Sequence, residues 1–330
     1  MPPDPTALPR VAPGAELVPA EELAGRPHVQ VDGALLPGTV LSLSHWPGSG
    51  TPDALRADTS ALIVARYMEA DAAGPAIDLV STNHYDEDGL LAIWLLLERP
   101  PPGDPARDLA IAAAEAGDFG TWTDPWAPRV AIAAMGMAER GRTPFPEVNR
   151  VHARAGAGDP AGALHRAVLP RVRGLLDDPD RYAMLWRPRW EGITADMALL
   201  DSGEATIEER AAGDLAVLRA PRPLDPMAVH PRTRRTRVLT ATPDGTLSLA
   251  HRYETWVDYV SRPLAPRVDL TPLAHRLQER ERGGGRWLFE GVEAITPRLF
   301  AAGPDGRPGP TSVSAGELAD ALSGFLEETR

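Results

Sequence analysis

The segment Ser81-Thr82-Asn83-His84-Tyr85-Asp86-Glu87-Asp88-Gly89 sets an imidazole and two carboxylates at a spacing of two. In extended backbone, residues two apart project to one side and start about 6–7 Å apart. Converging, His84, Asp86 and Asp88 have the donor types to grip a pair of cations at the roughly 3.5–4 Å separation used in two-metal hydrolysis. One imidazole with two carboxylates suits manganese or magnesium better than calcium, for which imidazole is a poor ligand. The bland reading is that Asp86 and Asp88 cap the helix that Gly89 opens, favoured there by its dipole. Capping needs only one such residue. Five consecutive ionisable or phenolic side chains, His84 to Asp88, beside a strongly apolar helix are costly near a core unless a cation neutralises them.

Composition narrows the remaining chemistry. All 34 basic residues are arginine, and there is no cysteine. Without lysine there is no Schiff-base lysine, no pyridoxal-phosphate anchor and no P-loop of the usual type. Without cysteine there is no thiol nucleophile, no disulfide and no cysteine zinc or iron–sulfur site. The excess of 46 acids over 34 basic residues gives a net charge of −12, which argues against long nucleic acid or an anionic membrane as partner. A small-molecule substrate fits better, and a homo-oligomer is compatible with the sequence. The amino terminus lacks the basic and apolar regions of a signal peptide, and no run approaches 18 apolar residues, so a cytoplasmic location is expected.

The elements that must position the motif are legible around it. Residues 1–28 are Pro/Ala-rich and acidic and read as a poorly ordered arm. Thr39 to His45 alternates as a strand does before Trp46-Pro47-Gly48 breaks it, and Asp58-Thr59-Ser60 offers caps for a helix over Ala61 to Ala70. A strand over Ala76 to Thr82 runs into the acidic motif, and Leu90 to Leu97 is a strongly apolar helix. Strand, polar loop and helix make an α/β crevice, where ligands meet the carboxyl ends of strands. A further helix over Arg107 to Ala116 is expected to stop at Gly117-Asp118-Phe119-Gly120, and Ala163 to Leu176 reads as helical despite Pro170. Pro/Gly punctuation over 144–162 suggests a boundary, giving a metal-site domain over 29–150 and a mixed α/β substrate or cap domain over 151–330. Beyond Asp196 the runs Asp214 to Arg219, Thr236 to Ala241 and Thr246 to Tyr253 are β-like, and Leu270 to Gln278 and Gly316 to Glu328 are helical.

His84-x-Asp86-x-Asp88-Gly89 resembles a compact form of the first motif of the DHH phosphoesterase superfamily, in which a His and two Asp follow the first strand. The resemblance covers roughly residues 38–120. It implies an α/β fold with an N-terminal DHH-like parallel-sheet domain, and His84, Asp86 and Asp88 as ligands of Mn2+ or Mg2+. It further implies a metal-activated water that attacks a small phosphorylated substrate. No Asp-His-His triplet occurs in the chain; Asp118 is the nearest candidate for the family's separate aspartate, and His45 for the remaining imidazole. The whole chain also resembles an uncharacterised bacterial family pairing a His-Trp-Pro segment with Asn-His-x-Asp-x-Asp-Gly.

Outside that region, Arg252, Arg262 and Arg286 are candidates to neutralise substrate oxygens, the last beside Gly283-Gly284-Gly285. The four arginines of His230 to Arg237 suit a phosphate or carboxylate, although a solvated strand is the simpler explanation. Two other readings share the same residues: a metal-dependent hydrolase or lyase of a non-phosphate substrate, and a non-catalytic binding protein on a DHH-like fold.

Overall fold

The computed structural model describes residues 7–70, 72–155 and 160–329. Residues 1–6 of the expected arm, and 156–159 of the Pro/Gly punctuation, lie outside the described residues. The chain forms two compact units, one comprising Met1–Glu191 with Val257–Ser261, the other Gly192–Trp256 with Arg262–Arg330. The division thus falls near residue 191 rather than 150. The Pro/Gly punctuation over 144–162 adjoins helices of the first unit, so it does not mark a linker between units.

In the first unit the elements run β1 (Arg10–Leu17), β2 (His28–Val31), β3 (Thr39–Leu43), α1 (Ser60–Glu69), β4 (Ala76–Ser81), α2 (Glu87–Glu98) and α3 (Pro105–Phe119). Helices α4 (Ala127–Ala138), α5 (Pro146–Ala155), α6 (Ala161–Val168) and α7 (Val172–Asp177) follow, and α8 (Ala183–Ser202) begins here and continues past Glu191 into the residues of the second unit. The four strands form a parallel sheet in the order β1-β4-β2-β3. Its inner strand β2 is buried along its whole length, with Val29 and Val31 at 0% exposure, as a strand covered on both faces requires. Helix α2 is apolar nearly all round and is buried from Glu87 to Leu96.

Several elements depart from the sequence expectations for identifiable reasons. Residues 10–17, expected in a poorly ordered arm, form β1; a register shift between Val11 and Glu16, spanning Pro13 and Gly14, erases the alternation that marks a strand. Strand β3 ends at Leu43, so Ser44 and His45 lie just beyond it. Helix α3 passes through Gly117 and ends at Phe119, with Gly120 in the left-handed region as its cap. Pro170 does break its helix, separating α6 from α7 by a tight turn. Of the caps that Asp58-Thr59-Ser60 offers, Thr59 serves α1, accepting from the Leu62 amide.

The second unit carries β5 (Thr206–Arg210), β6 (Leu215–Arg219), α9 (Pro226–Val229), β7 (Arg237–Ala241), β8 (Leu247–His251), α10 (Thr271–Arg280), β9 (Arg286–Phe289), β10 (Arg298–Ala302) and α11 (Ala315–Glu328). The six strands make a mixed sheet, β5-β6-β7-β8-β10-β9, with only β6 and β7 parallel. Alternation explains how it is held: strand residues such as Val217, Leu239, Leu249 and Leu299 pack with Leu273, Leu277, Leu318 and Leu322 of α10 and α11 in one core. The expected α/β class is therefore present in both units.

Candidate metal centre

Three parallel strands deliver their carboxyl ends to one place. In the sheet, Val31 pairs with Leu43 and Gln30 with Ser81, so the residues just beyond these rows emerge together: Asp32 after β2, Ser44 and His45 after β3, and the acidic motif after β4. This is the crevice at strand ends that α/β sheets offer to ligands.

The loops are locked by hydrogen bonds that specify their residues. The Asn83 side chain accepts from the Ala34 amide and donates to the Ala34 carbonyl, tying the turn after Asp32 to the motif loop. Gly33, at φ +94°, leaves the space that Asn83 fills; a Cβ there would collide with Asn83 Oδ1. Thr82 Oγ1 and Gln30 Nε2 both donate to the Asp32 carbonyl. Asp32 itself has a positive φ of 48°, which aspartate tolerates better than most residues.

His45 is held with one ring nitrogen facing the carboxylates. Its Nδ1 donates to the Asp58 carbonyl at 2.6 Å. Nε2 lies 3.6 Å from Asp32 Oδ1, 3.7 Å from Asp88 Oδ2 and 3.6 Å from Asp118 Oδ2, with all four side chains buried. A neutral imidazole in this tautomer turns its Nε2 lone pair toward three carboxyl groups, an arrangement that either a cation or a proton on one of the carboxyls satisfies. Donation of the other ring N–H to a backbone carbonyl is also how metal-ligating histidines are commonly oriented.

Asp32, His45 and Asp88 offer ligand atoms within 4.8 Å of one another, and Asp32, His84 and Asp86 make a second such group. Around a six-coordinate cation at about 2.1 Å, neighbouring ligands sit roughly 3 Å apart and opposite ones about 4.2 Å. The separations at His45 fall between these values. Asp32 Oδ2 and Asp118 Oδ2 are buried and accept no hydrogen bond from the described residues, which leaves hard oxygen donors aimed inward. The donor set therefore fits a hard divalent cation.

The remaining carboxylate contacts show what the protein itself supplies. Asp88 accepts from the Ser60 and Ala61 amides at 2.6 and 2.7 Å, clasping the N-terminus of α1 rather than its own helix. Asp86 is the N-cap of α2, accepting from the Gly89 amide at 2.7 Å, and it also receives His84 Nε2 at 2.8 Å. The capping interpretation thus holds for Asp86, and a cation in the outer group would have to replace its bond to His84. Gly89 keeps this end of α2 narrow; a Cβ would meet Asp32 Oδ2 at 3.1 Å.

Electrostatics follow the crowding. Burial, then Asp86 and Asp88, push Asp32 well above the usual carboxylate range. Burial, then Asp88 and Asp86, do the same to Asp118. Asp88 is raised by burial despite His45. Asp86 moves the other way: burial opposes ionisation, but the hydrogen bond and charge of His84 and the Gly89 amide outweigh it. Glu87, the neighbouring motif residue, is pushed up to about 8 by burial and Asp86.

The structure therefore brings His45, His84, Asp86, Asp88 and Asp118 of the sequence candidates together, and adds Asp32. The available signal for Asp32 is the short run His28 to Val31 ending in Asp-Gly. Asp118 sits in the last turn of α3, not in a loop. Arg252 is buried and bound to Glu254 and the Thr233 carbonyl, so its guanidinium is engaged internally and does not serve as an open substrate contact. Arg262 is half-buried and Arg286 is exposed at the start of β9, both in the second unit.

An α/β protein with a buried Asp/His/Asp group of metal-binding donors is the class that fold and site define. The chain belongs to the family of unknown function DUF6687, whose model matches residues 15–330. No curated protein and no solved structure matches the chain. These comparisons give no assignment to the DHH superfamily. No helix among the described residues is long and apolar enough to cross a membrane.

Proposed function

We propose that this protein is a divalent-metal-dependent hydrolase whose two cations share Asp32, and that it acts on a small phosphorylated substrate. The observation that carries the reading is the membership of Asp32 in both donor groups, one with His45 and Asp88 and one with His84 and Asp86. A carboxylate common to two adjacent sites is suited to hold cations a few ångströms apart. Mn2+ or Mg2+ matches the mixture of imidazole and carboxylate. When bound, such cations supply a water of lowered pKa and neutralise charge on the phosphoryl oxygens.

The chain's own residues have separable roles. His45, Asp88 and Asp118 are enclosed, and they set the charge and rigidity of the inner position. His84 is more open, with 40% of its side chain exposed, so the outer position is where substrate would enter. Trp46 lies against His84 at 5.3 Å between ring centroids and would border that entrance.

The test is release of inorganic phosphate from a panel of small phosphate esters and anhydrides with added Mn2+. Turnover that disappears in Asp32→Asn and His45→Ala supports the reading. Stoichiometric metal with no phosphate release, but release from amide or ester substrates, moves the reaction to a non-phosphate bond. One observation favours a non-catalytic cation role: both Asp88 oxygens already bind α1, so a cation there would also tie α1 to α2. Metal binding without turnover on either panel would select that alternative.

A further inference from the structure

Arg237 and His251 stand opposite each other where β7 and β8 pair antiparallel, and each is only 2% exposed. Directly opposed residues in such a ladder project to the same face, with Cβ atoms about 4.5–5.5 Å apart. Arg237 Nη1 donates to the Gly213 carbonyl at 2.8 Å and Nη2 to the Pro266 carbonyl at 3.4 Å. Its Nε–H is buried with no hydrogen-bond partner among the described residues, and so is Nε2 of His251. Two orphaned nitrogens on facing side chains are costly without a shared partner.

The surroundings are cationic. Arg267 adds a second guanidinium nearby, itself held by Thr255 Oγ1 and the carbonyls of Val292, Ala294 and Ile295. Of the acids acting here, Asp214 already accepts from Thr236 and faces Arg235 at 3.6 Å, while Glu293, which acts on Arg267, is exposed. Burial first, then Arg237 and Arg267, hold His251 down at about 3. Other arginines of this basic run are used differently: Arg232 pairs with Asp201 and Arg235 with Glu209.

We propose that Arg237 and His251 form a buried binding site for a small monovalent anion of chloride or formate size. Arg237 would donate Nε–H and His251, as the Nε2–H tautomer, its ring N–H, so that both orphaned nitrogens share one acceptor. Two donors and near-complete enclosure match a compact acceptor; a phosphate would bring further oxygens needing partners. The site is built wholly from residues of the second unit and shares none with the metal centre.

The experiment uses the full chain in sodium gluconate, an anion too large to enter, with stepwise replacement by chloride or formate at constant ionic strength. The melting midpoint is expected to rise saturably by roughly 3–6 °C, and the 15N signals of the His251 ring to shift over the same concentrations. In His251→Leu the anion-dependent rise is lost. A midpoint indifferent to anion identity, a rise that survives in His251→Leu, or His251 ring signals that stay unmoved overturns the proposal. Because the ring signals are read on the wild-type protein, the test does not depend on the variant folding.

Discussion

Oδ1 of Asp32 and Nε2 of His45 face each other at 3.6 Å, although they leave the sheet on different strands, one residue past Val31 and two past Leu43. The parallel pairing of β2 and β3 makes this approach a property of the fold rather than of a flexible loop. It also concentrates buried negative charge, since Asp88 and Asp118 reach the same imidazole.

Relief of that charge should be measurable without any metal. In the presence of chelator, Asp32→Asn should be more stable than wild type by about 1–3 kcal/mol, the cost of a buried group lacking its partners. The amide oxygen can still accept from Ser60 Oγ, so the loop is kept. Added Mn2+ should reverse the order, raising the wild-type midpoint and leaving the variant unchanged. Denaturant melts with and without metal decide this.

Asn83 is expected to tune the site without touching a cation. Its side chain ties the turn after Asp32 to the motif loop through both polar backbone atoms of Ala34. Asn83→Ala should weaken metal affinity about 10–100-fold, as the loss of outer partners commonly does, while full occupancy returns at high metal concentration. Calorimetric titration with Mn2+ would show this, and unchanged affinity would remove Asn83 from the account.

Gly117 is required by Glu87. A Cβ at 117 would overlap the Glu87 carboxylate, Oε1 first. Gly117→Ala should therefore cost about 1–3 kcal/mol, as overpacking typically does, despite alanine's better helix propensity. In a Glu87→Ala background the penalty should largely vanish, a coupling that a double-mutant cycle reads directly.

The strands and helices flanking His84 to Gly89 are readable from sequence because an alternating run, an acidic loop and an apolar run follow one another. The α/β class follows from them. Asp32 is hard to read, because β2 is only four residues long and its alternation, His28-Val29-Gln30-Val31, is too short a run to mark a strand. The extent of α3 escapes sequence reading because a glycine inside a helix and one ending it look alike; only the packing of Glu87 distinguishes Gly117 from Gly120. The convergence of His45, Asp88 and Asp118 depends on strand register and on the packing of α2 against α3, which spacing along the chain does not encode. Arg252 looks available in the sequence although its partner Glu254 is only two residues away, because nothing in that spacing reveals that both are buried.

In the second unit, Glu281 should govern acid stability. Burial opposes its ionisation, but hydrogen bonds from Thr311, the Gly283 amide and both the amide and hydroxyl of Ser312 hold it down at about 2. Its contribution is fully present above the ordinary glutamate range, near 4.5, and is lost as pH falls toward 2. Glu281→Ala should lower stability at pH 7 by about 2 kcal/mol, in the range for hydrogen bonds to a charged group, and flatten the decline between pH 4.5 and 2. Unfolding curves across that window provide the check.

The most direct test of the shared-aspartate account is metal stoichiometry by elemental analysis of untagged protein after Mn2+ loading and removal of excess. The account predicts near two equivalents in wild type, near one in His84→Ala, which spares the inner group, and essentially none in Asp32→Asn. No metal in folded wild type, or equal retention in Asp32→Asn, would contradict it and leave helix capping and loop closure as the work of these carboxylates.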